Sequence, residues 1–399
     1  MIAEFVFAKA PEIRFGRHML SRLPHLAGRF GKTVLLVTGS ASFCRSAYYK
    51  ELVDAFHALG MELHQTSITG EPSPAFVDEI VGKYRDSNID VVAGIGGGSA
   101  MDAGKAISAM LLQEGSVIQY LEGMETGTHN GVKVPFIAVP TSSGTGSEAT
   151  KNAVLSEIGE KGFKKSLRHD NFVPDIAVID PELTLSCPAD VTAACGLDTL
   201  TQLLEAYVSV KASPMTDALA LSGLKHFKAG FLPAFFNGAA DVEARENMCY
   251  ASLISGIVLA NAGLGVVHGL ASPIGGYFPI PHGVVCGTLL GAATAMNIET
   301  MKKNPSRYKE ALDKYATAGM ILSGKHAANA VEGCELLIAT IEELLEATGI
   351  SRLGAYGIAK EDIPRIVAKA NNKNSPVELS KQQIAEILET RIGIVGTRI

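Results

Sequence analysis

The sequence predicts an α/β N-terminal dinucleotide-binding domain with a parallel sheet, followed by an all-helical C-terminal domain. Three observations support this fold class. The chain has 399 residues, which is too long for one ordinary core. Short apolar runs alternate with helical patterns as far as Leu185. From Val191 onward, long helical patterns follow one another with few strand candidates. We therefore predict two domains, 1–185 and 186–399.

Except for 61–66, whose sequence MELHQT is mostly polar, the strand candidates of the first domain are mainly apolar runs, as expected for parallel strands buried on both faces. They cover 33–38, 61–66, 89–95, 134–140 and 176–179, and helical spacing fills 48–59, 76–85 and 99–112. In the second domain, helical spacing covers 193–210, 216–228, 242–259, 283–295, 308–322, 327–346 and 380–390. The first set predicts a doubly wound sheet and the second a helical bundle.

Composition excludes several classes of partner. The net charge of −6 and the pI near 6.0 argue against nucleic-acid binding. The six cysteines form no CxxC pair, and the N-terminus lacks the pattern of a signal peptide, so we expect a cytoplasmic protein. The stretch Asn247–Ile298 carries no charged residue, but glycines, prolines and Asn261 interrupt it too often for a membrane-spanning helix.

A glycine-rich segment, GIGGGSAMDAGKA, follows the third strand candidate and opens a helix. Gly97 and Gly98 allow a close backbone approach, and Ser99 lies where the helix begins. A helix N-terminus with free amides suits a pyrophosphate. The segment is not G-x-G-x-x-G, so a tight turn without a ligand is the alternative.

A second polar loop, PTSSGTGSEAT, follows the next strand candidate and is rich in hydroxyls. Ordinary helix capping would also use these residues. Two such loops at the carboxyl edge of one parallel sheet nevertheless predict a dinucleotide site. After the first strand, Gly39 and Ser40 place no carboxylate where a 2′-phosphate would lie, and Arg45 is close in sequence. This favours NADP(H) over NAD(H).

Two histidines, His268 and His282, lie in the charge-free stretch. Asp198 and Gln202 are four residues apart on a predicted helix and therefore share one face. One carboxylate, two imidazoles and one amide oxygen suit a catalytic Fe²⁺ or Zn²⁺. The alternative is that these are core histidines bound to backbone groups.

In combination, these motifs resemble the iron-containing (group III) alcohol dehydrogenases. The matching segments are GGGSAMDAGKA, PTSSGTGSEAT, VIDPEL, CGLDTLTQLLEAY, VVHGLASP and PIPHGVV. The resemblance covers nearly the whole chain, and these segments occur in the family's order. The resemblance implies a dehydroquinate-synthase-like architecture with a catalytic cleft between two domains, and a homodimer.

The resemblance also assigns cofactor contacts. It places the pyrophosphate loop on Gly97, Gly98 and Ser99 with Asp102 beside it, and the nicotinamide and ribose contacts on Thr141, Ser142 and Thr145. Ser73 stands where the family has a cofactor-contacting Asn, and Lys164 matches a ribose-contacting lysine. The family's NAD-selecting Asp is Gly39 here, next to Ser40, which again favours NADP(H).

The metal ligands depart from the family's one Asp and three His. Asp198, His268 and His282 match, whereas Gln202 replaces the His expected four residues after the Asp. Ser272 replaces a further active-site His. We therefore predict Asp198, Gln202, His268 and His282 as metal ligands and Ser272 as a catalytic hydroxyl. An amide oxygen binds Fe²⁺ or Zn²⁺ more weakly than imidazole does.

The predicted function is hydride transfer between NADP(H) or NAD(H) and a small alcohol, aldehyde or ketone, assisted by Fe²⁺ or Zn²⁺. Three alternatives remain open at this point. They are a metal-dependent lyase or cyclase of the dehydroquinate synthase type, a metal-independent oxo-acid reductase of the maleylacetate reductase type, and a non-catalytic relative. The sequence does not predict which alcohol or carbonyl compound is the substrate.

Overall fold

The computed structural model describes residues 4–39, 42–372 and 374–393. The chain divides into two compact units. The α/β unit comprises 8–157 and 164–187, and the helical unit comprises 4–7, 158–163 and the chain from Pro188 onward. The division after Cys187 lies two residues beyond the predicted boundary. Residues 158–163 belong to the helical unit although they lie in sequence between two segments of the α/β unit, and nothing in the sequence pattern predicts this.

The α/β unit is built on a six-stranded sheet in which every neighbouring pair of strands is parallel. Its order is β1-β8-β5-β4-β2-β3, and β6 and β7 form a separate two-stranded sheet. The strands are β1 (Glu12–Phe15), β2 (Thr33–Gly39), β3 (Glu62–Ile68), β4 (Val91–Gly96), β5 (Phe136–Pro140), β6 (Asn152–Glu157), β7 (Phe163–Arg168) and β8 (Ile176–Ile179). The predicted parallel sheet is confirmed.

The sheet register brings the ends of three strands to one edge. Gly96 at the end of β4 pairs with Pro140 at the end of β5, and Thr38 in β2 pairs with Ile95. The chain leaves β2 outward to β3 and then crosses back to β4, so the strand order reverses between β2 and β4. A reversal of this kind is where open α/β sheets bind their ligands.

The helices follow the same chain order. They are α1 (Leu23–Ala27), α2 (Ala47–Ala58), α3 (Pro74–Tyr84), α4 (Gly98–Met110), α5 (Ala189–Tyr207), α6 (Pro214–Asn237), α7 (Val242–Ala262), α8 (Val266–Tyr277), α9 (His282–Lys302), α10 (Lys309–Ser323), α11 (Ala330–Thr348), α12 (Ile363–Lys369) and α13 (Lys381–Ile392). From α5 onward the described chain contains no strand, so the predicted helical region is confirmed.

The helical unit buries its apolar helices against one another. Within the described residues, α9 is long and apolar enough to cross a membrane, and α7 with α8 passes the same criterion although the pair bends by 99°. In α9, 72% of the apolar window is buried within the structure. A helix that is apolar all round and mostly covered is typical of a protein core.

Candidate metal centre and dinucleotide site

The helical unit brings Asp198, His268, His282 and Cys286 together. Their nearest ligand atoms all lie within 4.8 Å of one another. Asp198 comes from the middle of α5, His268 from the first turn of α8, and His282 and Cys286 from the first two turns of α9. Three of these residues are sequence-predicted site residues, whereas Cys286 was not predicted. The group contains the donor atoms that Zn²⁺ and Fe²⁺ bind in proteins.

Glycines allow the three helices to approach closely enough for this. A Cβ on Gly283, next to His282, would lie 2.3 Å from the Ala194 carbonyl oxygen, so α9 begins in direct backbone contact with α5. Gly263 ends α7 at a φ of 70°, a left-handed conformation that favours glycine, and α8 starts three residues later. The glycines that interrupt the helical pattern therefore position the two histidines.

The donor atoms of this cluster face a common point. Asp198 Oδ1 lies 3.3 Å from His268 Nε2 and 3.9 Å from His282 Nε2. The Asp198 side chain is buried, yet within the described part of the chain no group donates a well-aligned hydrogen bond to Oδ1. A buried carboxylate oxygen without such a donor is unfavourable unless a cation is bound there. The residues present therefore fit a divalent metal.

Glu205, two turns after Asp198 on α5, supports His268. Its Oε2 lies 2.7 Å from His268 Nδ1, and its Oε1 accepts the Val267 backbone N–H at 2.7 Å. A carboxylate at Nδ1 holds the proton there and leaves Nε2 free to coordinate a metal. The sequence carried this signal, because Asp198, Gln202 and Glu205 lie on one face of the same helix, but Glu205 was not predicted.

Gln202 contacts Asp198 through its side-chain amide. Its side-chain nitrogen donates to Asp198 Oδ2 at 3.1 Å, and its oxygen accepts from the Ser255 hydroxyl at 2.6 Å. This arrangement holds the second carboxylate oxygen of Asp198. Ser272 lies one turn after His268 on α8 and is partly exposed. The ligand role of Gln202 and the catalytic role of Ser272 stay predictions.

The electrostatics of the cluster favour a positive charge. Burial works to raise the pKa of Asp198, but His282 and His268 outweigh it and hold that pKa below its usual value. Burial works to lower the pKa of His268, but Cys286, Asp198 and Glu205 reverse this and raise it well above normal. Burial raises the pKa of the Cys286 thiol to about 12. The same negative field stabilises either a proton or a metal ion at this point.

In the α/β unit, the glycine-rich turn begins α4 and contacts the hydroxyl-rich loop. Gly97 is the N-cap of α4. A Cβ on Gly98 would lie 2.7 Å from Thr145 Cγ2, and one on Gly97 would lie 3.3 Å from Ser142 Oγ. The Thr141 backbone N–H donates to the Gly96 carbonyl at 2.9 Å. The structure thus brings Gly97, Gly98, Ser99 and the 141–145 loop together at the carboxyl edge of the sheet.

A buried lysine on α4 anchors the hydroxyl loop. Lys105 Nζ donates to the Ser147 carbonyl and hydroxyl, the Thr150 hydroxyl and the Asn152 carbonyl at 2.7–3.1 Å. Burial, only partly offset by Asp102 and Glu148, lowers the pKa of Lys105 to about 8. Sequence reasoning missed this residue, because a lysine in a helical pattern normally points to solvent.

The remaining predicted cofactor residues have local partners. Asp102 accepts from the Ser147 hydroxyl at 2.6 Å and from the Val154 N–H at 3.2 Å. Ser73 is the N-cap of α3 and accepts from the Phe76 N–H. Lys164 forms an ion pair with Glu71. Gly39 ends β2 with open space around its Cβ position, and Ser40 lies outside the described residues. The cofactor contacts of these residues stay predictions.

A sheet edge suited to a dinucleotide, together with a buried convergence of metal-ligand side chains, is typical of metal-assisted, nicotinamide-dependent oxidoreductases. Comparison with known proteins supports this class of enzyme. The model of the iron-containing alcohol dehydrogenase family matches residues 10–181, and the model of the Fe-containing alcohol dehydrogenase C-terminal family matches residues 192–392. The chain belongs to the iron-containing alcohol dehydrogenase family, as the resemblance of its motifs predicts.

Individual relatives match most of the chain. Long-chain-alcohol dehydrogenase 1 of Geobacillus thermodenitrificans is 31% identical over 395 residues, covering 97% of this chain and 96% of that protein. The NAD-dependent methanol dehydrogenase of Bacillus methanolicus is 31% identical and covers 81% of this chain and 82% of its own. A crystal structure of 1,3-propanediol oxidoreductase matches with a TM-score of 0.87 at 29% identity, covering 98% of this chain and 100% of that one.

Proposed function

We propose that this protein transfers hydride between NADP(H) and a small alcohol or its aldehyde or ketone, with a divalent metal at the Asp198 cluster. The observation that carries the proposal is the convergence of Asp198 Oδ1, His268 Nε2 and His282 Nε2 around a buried point. Membership of an alcohol dehydrogenase family supports the reaction type. Fe²⁺ and Zn²⁺ both suit this donor set.

Asp198, His268 and His282 hold the metal in this proposal. The bound metal supplies Lewis-acid polarisation of the substrate oxygen, and the bound nicotinamide supplies or accepts the hydride. Glu205 keeps the proton of His268 on Nδ1. Gln202 fixes Asp198 through Oδ2, which leaves Oδ1 directed into the cluster. We propose that the Ser272 hydroxyl relays the proton of the substrate alcohol to solvent.

The preference for NADP(H) is proposed from the end of β2. Gly39 offers no carboxylate and has open space at its Cβ position, so a 2′-phosphate meets no like charge there. Arg45, which is exposed in the turn after β2, supplies a positive charge close in sequence. The ratio of kcat/KM with NADPH to that with NADH tests this, and Gly39→Asp should shift the ratio toward NADH.

Steady-state oxidation of NADPH by small aldehydes, followed by its near-ultraviolet absorbance, tests the reaction. The His268→Ala variant should lose turnover while it still binds NADPH, because the cofactor loops lie in the α/β unit and the variant lies in the helical unit. Normal turnover in that variant would contradict the metal-assisted mechanism. Equal turnover of fully demetallated and reloaded protein would favour a metal-independent reductase instead. The cytoplasmic location and the homodimer stay predictions.

A further inference from the structure

Cys286 is the one member of the metal cluster that neither the sequence motifs nor the proposed mechanism uses. It is fully buried and lies one helical turn after His282 on α9. Its sulfur is 3.6 Å from His282 Nε2 and 3.7 Å from His268 Nε2. One turn of helix places residues four apart on the same face, so the thiol and the imidazole of His282 point into the same space.

Three separations among these atoms match those of a tetrahedral site. Zn–N and Zn–O bonds of about 2.0–2.1 Å and Zn–S bonds of about 2.3 Å place two N/O ligands roughly 3.3 Å apart, and an N and an S ligand roughly 3.6 Å apart. The Asp198–His268 separation is 3.3 Å, and the two sulfur–nitrogen separations are 3.6 and 3.7 Å. The Asp198–His282 separation of 3.9 Å is the widest of the four.

The donor atoms also suit a cation. When His268 is neutral, its proton lies on Nδ1, where Glu205 accepts it, so Nε2 presents a lone pair to the cluster. Asp198 Oδ1 presents another, and within the described chain no well-aligned donor reaches it. A thiol has a single proton and cannot donate to both His268 Nε2 and Asp198 Oδ1. A bound metal satisfies all four donor atoms at once.

The two candidate fourth ligands differ in their present contacts. The oxygen of Gln202 already accepts a hydrogen bond from Ser255, and its nitrogen faces Asp198. Coordination through that oxygen would require the amide to turn and would separate it from Ser255. The Cys286 sulfur, in contrast, already lies among the other donor atoms.

We propose that Cys286, as a thiolate, is the fourth ligand of the metal in place of Gln202, the ligand that the sequence predicts, and that Gln202 positions Asp198 without binding the ion. This rests on the metal site of the proposed function. On binding, the S–H bond breaks, a sulfur–metal bond forms, and the proton passes to solvent. Because thiolate is a soft ligand, an Asp–His–His–Cys set favours Zn²⁺ over Fe²⁺.

Cobalt substitution tests this without an activity measurement. Full-length protein is demetallated anaerobically, titrated with Co²⁺ and followed by absorbance, since a thiolate–Co²⁺ bond gives a near-ultraviolet charge-transfer band. Wild type and Cys334→Ser, which removes a buried thiol of α11, should both bind Co²⁺ and show the band. Cys286→Ser should lack the band and bind Co²⁺ at least about tenfold more weakly.

A ligand exchange provides the second readout. The double variant Gln202→His/Cys286→Ser should regain affinity through an imidazole while still lacking the band. Stoichiometric Co²⁺ without the band in wild type, or a band that persists in Cys286→Ser, would overturn Cys286 ligation and leave the proposed function standing. Failure of wild type to bind Co²⁺, Zn²⁺ and Fe²⁺ would overturn both. A normal band without turnover of NADPH would overturn the proposed function alone.

Discussion

At the scale of single residues, the group of metal-ligand side chains depends on the carboxylate of Glu205, which is not itself one of them. Glu205 contacts both the first turn of α8, through the Val267 N–H, and the outer nitrogen of His268. A Cβ on Gly265 would lie 2.9 Å from Glu205 Oε1, so this glycine makes room for the carboxylate. The same group thereby starts the helix and orients its histidine.

Glu205→Gln is predicted to weaken metal binding by about 10–100-fold. The amide can donate to His268 Nδ1, which moves the imidazole proton to Nε2 and blocks coordination. Competition with a fluorescent chelator measures the affinity. Glu343→Gln, on the exposed surface of α11, is the matched control and should bind metal like wild type. Unchanged affinity in Glu205→Gln would show that this contact does not orient His268.

Glu148, buried in the hydroxyl loop, gives a pH prediction. Burial, opposed in part by Lys105, raises the pKa of Glu148 from 4.5 to about 7. Because the folded protein favours the neutral acid, the contribution of Glu148 to the free energy of unfolding is fully present below pH 4.5. It is lost as the pH rises through 7. Relative to Glu148→Gln, the free energy of unfolding of wild type should fall by up to about 3 kcal/mol across this window. Urea unfolding of both proteins at several pH values measures the difference, and a flat difference would contradict the shift.

The sequence predicted some of these residues and not others for a physical reason. Asp198, His268 and His282 stand out because charged or polar side chains are rare in apolar segments. Lys105 and Cys286 look ordinary in sequence, since a helical lysine is usually solvated and a buried cysteine is usually a small apolar group. Glu205 shares a helix face with Asp198, but this spacing alone does not indicate a contact with His268. Only the packing of α5, α8 and α9, and of α4 with its loop, shows that they carry interactions.

At the scale of elements, the start of α4 and the 141–145 loop are in contact through a glycine. Gly98→Ala would place a methyl 2.7 Å from Thr145 Cγ2, and overpacking of this kind costs about 1–3 kcal/mol. If the loop moves to relieve it, NADPH affinity should fall by about tenfold or more. Thr145→Ser removes Cγ2 and keeps the hydroxyl, so Gly98→Ala/Thr145→Ser should recover affinity. Fluorescence titration distinguishes these outcomes, and equal affinity in all variants would contradict the contact.

The strands and helices were predictable where hydrophobic pattern alone determines them. The buried strands β2, β4, β5 and β8 are continuous apolar runs. β1, with the sequence EIRF, is a mostly exposed strand at the sheet edge, and β6 and β7 carry charged residues, so none of these three stands out as a core strand. α8 was missed because Gly269, Pro273 and two further glycines interrupt its helical pattern. Its surroundings in the helical unit nevertheless stabilise it.

At the scale of the whole molecule, a bound metal links three helices that are far apart in sequence. A metal that binds the folded state and not the unfolded state adds about 2.7 kcal/mol to the free energy of unfolding when its free concentration is 100 times Kd. Chelation should therefore increase hydrogen exchange of the α5, α8 and α9 amides. His282→Ala should show no response to the chelator. Exchange that is insensitive to chelation in wild type would contradict a metal at this place.

The most direct test of the account is the metal content of the protein purified anaerobically without added metal, measured by elemental mass spectrometry. We predict close to one zinc or iron per chain in wild type and a large loss in His282→Ala, because three helices supply ligands to one ion. Wild-type protein that contains no metal, and that also fails to bind added Fe²⁺ or Zn²⁺, would contradict the metal centre and with it the proposed mechanism.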